Sequence, residues 1–294
     1  MVIAGDLTDA KDYHVSTLVN RIVAVVDDLR RVGVHVEILM GNHDLLRAGH
    51  AYFEFLNRLE NVRFITQVCD DGDKTGPLAI FLPYTKTPVS DWQGLDFSHF
   101  SYVFMHQTAP GSVASNGQEM DGETLPSMKG PKVYSGDIHV PQTIGDIEYI
   151  GSPYHVHFGD RFKPRAVLID SRGRAHDLHF DTISRVTLTV DSLRDLKQQE
   201  VKPGDQVKLR IKLSDADKHE WHRIRREAST WLRDHHVEVH DIELVLNRSV
   251  RRRLQESVAA PPTARETDAD AVLRYVLAEE LGGDALDIGL ELVS

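Results

Sequence analysis

The sequence predicts an α/β chain: a main domain over residues 1–182, then a smaller α+β unit and a C-terminal helical tail. Three observations carry this reading. Short apolar runs recur along residues 1–140, each ending in Asp, Asn or His. A stretch of helical spacing separates the first two runs, which makes a βαβ unit. Beyond about residue 183 the pattern changes to longer alternating strands around one amphipathic helix.

Val2-Ile3-Ala4 reads as a strand leading into Gly5-Asp6-Leu7-Thr8-Asp9. Val15, Leu18, Val19, Ile22, Val25, Leu29 and Val32 then recur at helical spacing, and Gly33 is placed to end that helix. Val34-His35-Val36-Glu37-Ile38-Leu39-Met40 reads as a buried strand before the turn Gly41-Asn42-His43-Asp44. A short helix over 51–59 and strands near 62–66 and 78–82 follow. Tyr102-Val103-Phe104-Met105 leads into His106-Gln107, and Lys132-Val133-Tyr134-Ser135 into Gly136-Asp137-Ile138-His139. Between them, 108–131 is rich in Gly, Ser, Pro and Met and reads as a long loop lining a substrate groove.

The smaller unit spans 183–248. Val186–Val190 and Val207–Leu213 alternate as strands. A helix near 218–234 carries Trp221, Ile224, Ala228, Trp231 and Leu232 on its apolar side, and another strand follows at 237–246. Residues 249–265 read as a linker. In 266–294, Val272, Leu273, Val276, Leu277 and Leu281 form an apolar stripe suited to docking on a partner.

Composition bounds the class. The chain has 294 residues, is 41% hydrophobic and has one cysteine, Cys69, which excludes an intrachain disulfide framework. No apolar run approaches membrane-spanning length and no stretch resembles a signal peptide, so a cytoplasmic protein is expected. The net charge of −11 argues against a strong electrostatic DNA binder. Its distribution is uneven: 257–294 holds eight acidic and two basic residues, whereas 218–253 holds nine basic and six acidic.

Ligands of open α/β sheets bind at the carboxyl ends of strands. The residues that end the four runs, Asp6, Asn42, His106 and Asp137, are hard or borderline donors of the kind that hold divalent metals. Most of the 16 histidines are ordinary. His155 and His157 alternate in a loop or groove and mimic ligands, while His219 and His222 sit on a solvated helix face. Asp9 is either a positioning residue or a helix cap.

In order and type, Gly5-Asp6-x-x-Asp9, Gly41-Asn42-His43-Asp44, His106 and Gly136-Asp137-Ile138-His139 resemble the motifs of calcineurin-like metallophosphoesterases. Within them, His106-Gln107, the passage 136–142, Gly151-Ser152-Pro153-Tyr154 and Phe158-Gly159-Asp160 are most similar to the nuclease subunit of the SbcCD-type DNA repair complex, phage versions above all. The resemblance covers roughly residues 1–170. It implies a β-sandwich flanked by helices, a capping domain over 183–248 that aligns DNA, and hydrolysis of phosphodiesters at or near DNA ends.

The resemblance also implies a ligand map. Asp6 bridges two metals, Asn42, His106 and Asp137 complete one, and His139 serves the other. His43 stabilises the transition state, with Asp44 fixing its orientation. Mn²⁺ is the expected ion, with Mg²⁺ as an alternative. Two such ions about 3.5–4 Å apart clamp a phosphate and lower the pKa of a shared water. Two departures stand out. Asp137 replaces the family's usual His, which favours harder ions over zinc. The family's first motif, Asp-x-His, does not precede Asp6: either the true start lies upstream or part of the site is lacking, and for the chain as it stands one strong and one weak metal site, and much reduced hydrolysis, are expected. Implied partners are DNA, an SbcC-like coiled-coil ATPase and a second copy of the chain. The implied location is cytoplasmic, in the host if phage-encoded. A silent scaffold linking DNA to the ATPase, and a phosphoesterase acting on something other than DNA, are the alternatives.

Overall fold

Val36–Leu39 is buried at every position, on both faces of the strand, and this places it at the centre of a parallel sheet. The computed structural model describes residues 1–11, 13–47, 50–72, 78–213 and 219–246. It is mixed α/β and divides into two compact units, Met1–Thr182 and Ile183–Ser294.

In the first unit, β1 (Val2–Ile3), α1 (Ser16–Arg31) and β2 (Val36–Leu39) form the βαβ element. A hairpin of β3 (Leu45–Arg47) and β4 (His50–Ala51) leads through a 3₁₀ turn at Tyr52–Arg58 into β5 (Val62–Ile65). The sheet order is β1-β2-β5, all parallel. The predicted stop of α1 is met: Gly33, at φ 83°, donates to the Arg30 carbonyl, and Val34 N–H reaches the Leu29 carbonyl. These two bonds are the Schellman closure that a left-handed residue permits. The packed face of α1 is not the stripe expected. Ile22, Val23, Val26 and Leu29 join the core, whereas Leu18, Val25 and Val32 are exposed. The apolar positions are spread over more than half of the helix circumference, so spacing alone does not choose between the two faces.

A second sheet combines β6 (Cys69–Asp70), β7 (Ala79–Leu82), β8 (Tyr102–Met105), β9 (Lys132–Ser135), β10 (Gln142–Ile144) and β11 (Ile147–Tyr149). Its order is β10-β11-β9-β8-β7-β6, with parallel pairing from β7 to β11 and antiparallel strands at both edges. Leu39 and Ile65 from the first sheet share one apolar cluster with Ala79, Phe81 and Tyr134 from the second. The other side of the second sheet packs on Trp92, Phe97 and Met128, beside the short α2 (Pro88–Asp91). The segment 108–131 is therefore not an open excursion. It buries Ala109, Ser112 and Met128 while holding only an isolated bridge between Val113 and Glu119. A hairpin of β12 (Arg165–Ile169) and β13 (Ala175–His179) closes the unit.

The second unit corrects an expectation. Its described residues run β14 (Arg185–Val190), α3 (Leu193–Leu196), β15 (Gln206–Leu213), α4 (Trp221–Asp234) and β16 (Glu238–Leu246). The sheet β14-β15-β16 is wholly parallel, so the unit alternates strand and helix rather than being α+β. Each parallel return needs a crossover, and α3 and α4 lie on the two crossovers. Trp221, Ile224, Ala228 and Leu232 of α4 bury against the sheet, as their spacing predicts, and His219 and His222 are exposed. The linker and the docking segment read at 249–294 lie outside the described residues. Among the described residues, no helix is long and apolar enough to cross a membrane.

Candidate metal centre

Four strand ends meet at His106. Asp6 follows β1, Asn42 follows β2, His106 follows β8 directly, and Asp137 lies just past β9. The parallel pairings β1-β2 and β8-β9 bring these ends together in the way that places ligand sites at strand carboxyl ends.

His106 is buried, and its Nδ1–H donates to the Ala4 carbonyl at 2.6 Å. That bond turns Nε2 toward three oxygens: Asp6 Oδ2 at 3.3 Å, Asn42 Oδ1 at 3.3 Å and Asp137 Oδ1 at 3.5 Å. Donation of the second ring nitrogen to a backbone carbonyl is how metal-binding imidazoles are oriented. Ligand atoms of Asp6, His106 and Asp137 lie within 4.8 Å of one another. The set of one imidazole, two carboxylates and one amide oxygen suits Mn²⁺ or Mg²⁺ better than softer ions. These residues fit a divalent cation.

The electrostatics point the same way. Burial alone would lower the His106 pKa, but hydrogen bonds to Asp137 and Asp6, and their charge, raise it to about 10. Burial also disfavours the Asp137 carboxylate, yet its bond to His106, the charge of that ring and the Thr108 hydroxyl hold its carboxyl below the usual range. The centre thus holds a proton where a cation would sit.

Backbone conformation is bent to this arrangement. Asp6 and Asp137 have φ of 54° and 69°, two of the four non-glycine residues in the left-handed region among those described. Each costs about 1 kcal/mol, which the surrounding contacts must offset. Gly41 is required by close approach: a Cβ there would collide with the carboxylate and amide of Asp6.

Asp44 does something other than expected. Its carboxylate accepts from the N–H groups of Gly41 at 2.8 Å, Asp6 at 2.9 Å and Leu7 at 3.1 Å. It therefore ties the β1 loop to the β2 loop. Burial pushes its carboxyl pKa up in spite of those donors. In return, His43 N–H donates to Asp6 Oδ1 at 2.9 Å. The His43 ring is held by Asp9, whose carbonyl accepts from Nδ1 at 2.6 Å. Asp9 is thereby the positioning residue and not a helix cap, since Val15 occupies the N-cap of α1. Asp44 turns back onto Gly41, three residues earlier in its own turn, and does not orient His43.

His139 stands apart from the three-ligand group. It lies beside His157, with ring centroids 5.4 Å apart. Burial and the neighbouring His157 lower its pKa. Gln107 is buried and structural: its N–H and carbonyl bond Ser135 Oγ, and its side chain reaches the Thr85 carbonyl at 2.7 Å. Thr108 carries no signal in the sequence beyond its place two residues past His106. No family model matches the chain, and no curated protein matches it.

Proposed function

We propose that the chain is the metal-dependent nuclease subunit of an SbcCD-type complex and hydrolyses phosphodiesters at or near DNA ends. The observation that carries this reading is the convergence of Asp6, Asn42, His106 and Asp137, from four strand ends, on one point. Two sheets that share a core, with α1 packed on the outer side of the first, further support the likeness to metallophosphoesterases.

Asp6, Asn42, His106 and Asp137 would hold a divalent cation, Mn²⁺ by preference. Bound there, the cation supplies Lewis-acid charge to a phosphate and lowers the pKa of a water. The protein's own groups do the rest. The Asp44 carboxylate holds the two loops at fixed separation, so the donors need no reorganisation. Thr108 orients Asp137. With Nδ1–H committed to Asp9, His43 keeps Nε2 to place a proton or positive charge beside a phosphate oxygen.

Partners and setting follow from the same reading: DNA, an SbcC-like ATPase that supplies duplex affinity, and pairing of two chains. The test is Mn²⁺-dependent cleavage of linear duplex DNA and of bis-p-nitrophenyl phosphate by the full chain. Cleavage of both that falls at least about 100-fold in His43→Ala is expected, the size of losing one electrostatic donor. Hydrolysis of the small ester without any of DNA favours a phosphoesterase of other specificity. Silence toward both, with metal bound, favours the scaffold.

A further inference from the structure

β7 is a fifth strand whose carboxyl end reaches the centre. It runs parallel to β8 with Leu82 level with Met105, which brings Tyr84 beside His106. The two rings meet edge to face, with centroids 6.4 Å apart and planes inclined by 82°.

The backbone fixes Tyr84 there. Its N–H donates to the Met40 carbonyl at 2.9 Å, which ties it to the residue before Gly41-Asn42. The carbonyl of the next residue, Thr85, accepts from the Gln107 side chain at 2.7 Å, one residue past His106. Buried Pro83 precedes it and locks one more dihedral. The chain segments after β2 and β8 thus hold Tyr84 from both sides.

The polar end of this side chain is not used in the fold. Tyr149, by contrast, commits its hydroxyl to the Ala109 N–H at 2.7 Å and the Gln107 carbonyl at 3.1 Å. Tyr84 is partly buried, and its hydroxyl bonds no described residue. Burial first, then the charges of Asp137, Glu123 and Asp6, push its phenol pKa up. The hydroxyl therefore keeps its proton, within the field of both carboxylates of the centre. A neutral donor so placed gains a partner when an anion binds over a cation that those carboxylates hold.

We propose that the Tyr84 hydroxyl donates a hydrogen bond to an oxygen of the phosphate group bound at the Asp6–Asn42–His106–Asp137 centre. Tyrosine hydroxyls act as such donors to oxyanions when their position is fixed beforehand. Tyr84 acts from the end of β7, whereas His43 acts from the turn after β2. The inference rests on the reading that this centre holds a metal and takes phosphodiesters.

The experiment compares full-length wild type, Tyr84→Phe and Tyr84→Ala loaded with Mn²⁺. It reads Mn²⁺ affinity by electron paramagnetic resonance, orthophosphate affinity by calorimetry, and kcat and KM on bis-p-nitrophenyl phosphate. Phenylalanine keeps the ring against His106 and removes only the hydroxyl. Tyr84→Phe is expected to bind Mn²⁺ as wild type does, to bind orthophosphate about 10-fold more weakly and to lose about 10–100-fold in kcat. Unchanged orthophosphate affinity and kcat in Tyr84→Phe would overturn the proposal. Losses confined to Tyr84→Ala would overturn it too, since the ring alone would then matter. So would a Mn²⁺ affinity that falls in step with phosphate affinity, because the hydroxyl would then act on the metal donors. Weaker orthophosphate binding in Tyr84→Phe, with no hydrolysis by any of these chains, would support Tyr84 and refute the nuclease reading.

Discussion

At the scale of the residue, His106 governs how the centre responds to pH and metal. Its raised pKa means that the metal-free centre carries an extra proton near neutrality. Metal uptake expels it, so Mn²⁺ binding at pH 7 to 8 is expected to release about one proton per ion and to tighten about tenfold per pH unit. Calorimetry in buffers of differing ionisation enthalpy measures this directly. The sign for stability follows. A pKa raised from 6.5 to about 10 stabilises the metal-free fold fully below pH 6.5, and that contribution is lost as pH rises toward 10. Melting temperatures in EDTA across that window are expected to fall. Thr108→Val removes the donor to Asp137 and is expected to weaken Mn²⁺ binding about 10–100-fold with little change in folding. Asp6, Asn42, His106 and Asp137 were legible because each ends an apolar run. Asp9, Thr108 and the true role of Asp44 were not, because each acts through a backbone turn whose direction no spacing encodes.

At the scale of the element, the loops after β1 and β2 behave as one piece. Asp44→Ala leaves three amide donors without their acceptor and is expected to cost about 2–4 kcal/mol in denaturant unfolding. Two glycines separate strain from collision. Gly33→Ala meets open space and is expected to cost only about 1 kcal/mol, from its left-handed backbone. Gly41→Ala drives a methyl into Asp6 and is expected to lose Mn²⁺ binding as well as stability. Most elements of the first unit were legible, since β2, β7, β8 and β9 are apolar runs of strand length. The packed face of α1 was not, because its apolar residues wrap past one face. The parallel pairing of β14, β15 and β16 was not either, because strand alternation is blind to direction.

At the scale of the whole molecule, the balance of charge and chemistry is the issue. A net charge of −11 repels a polyanion, yet carboxylates in the metal centre are neutralised when cations bind. DNA affinity is therefore expected to rise on adding Mn²⁺, to fall steeply with salt and to grow further with a basic partner. A Mn²⁺ titration followed by electron paramagnetic resonance, on wild type and on Asp137→Asn and His106→Ala, decides whether these residues hold a metal. Wild type is expected to hold a tight Mn²⁺ site that either substitution weakens at least about 100-fold, beyond the loss expected for a residue that only orients a ligand. Mn²⁺ bound equally well by all three chains, or by none, would contradict it.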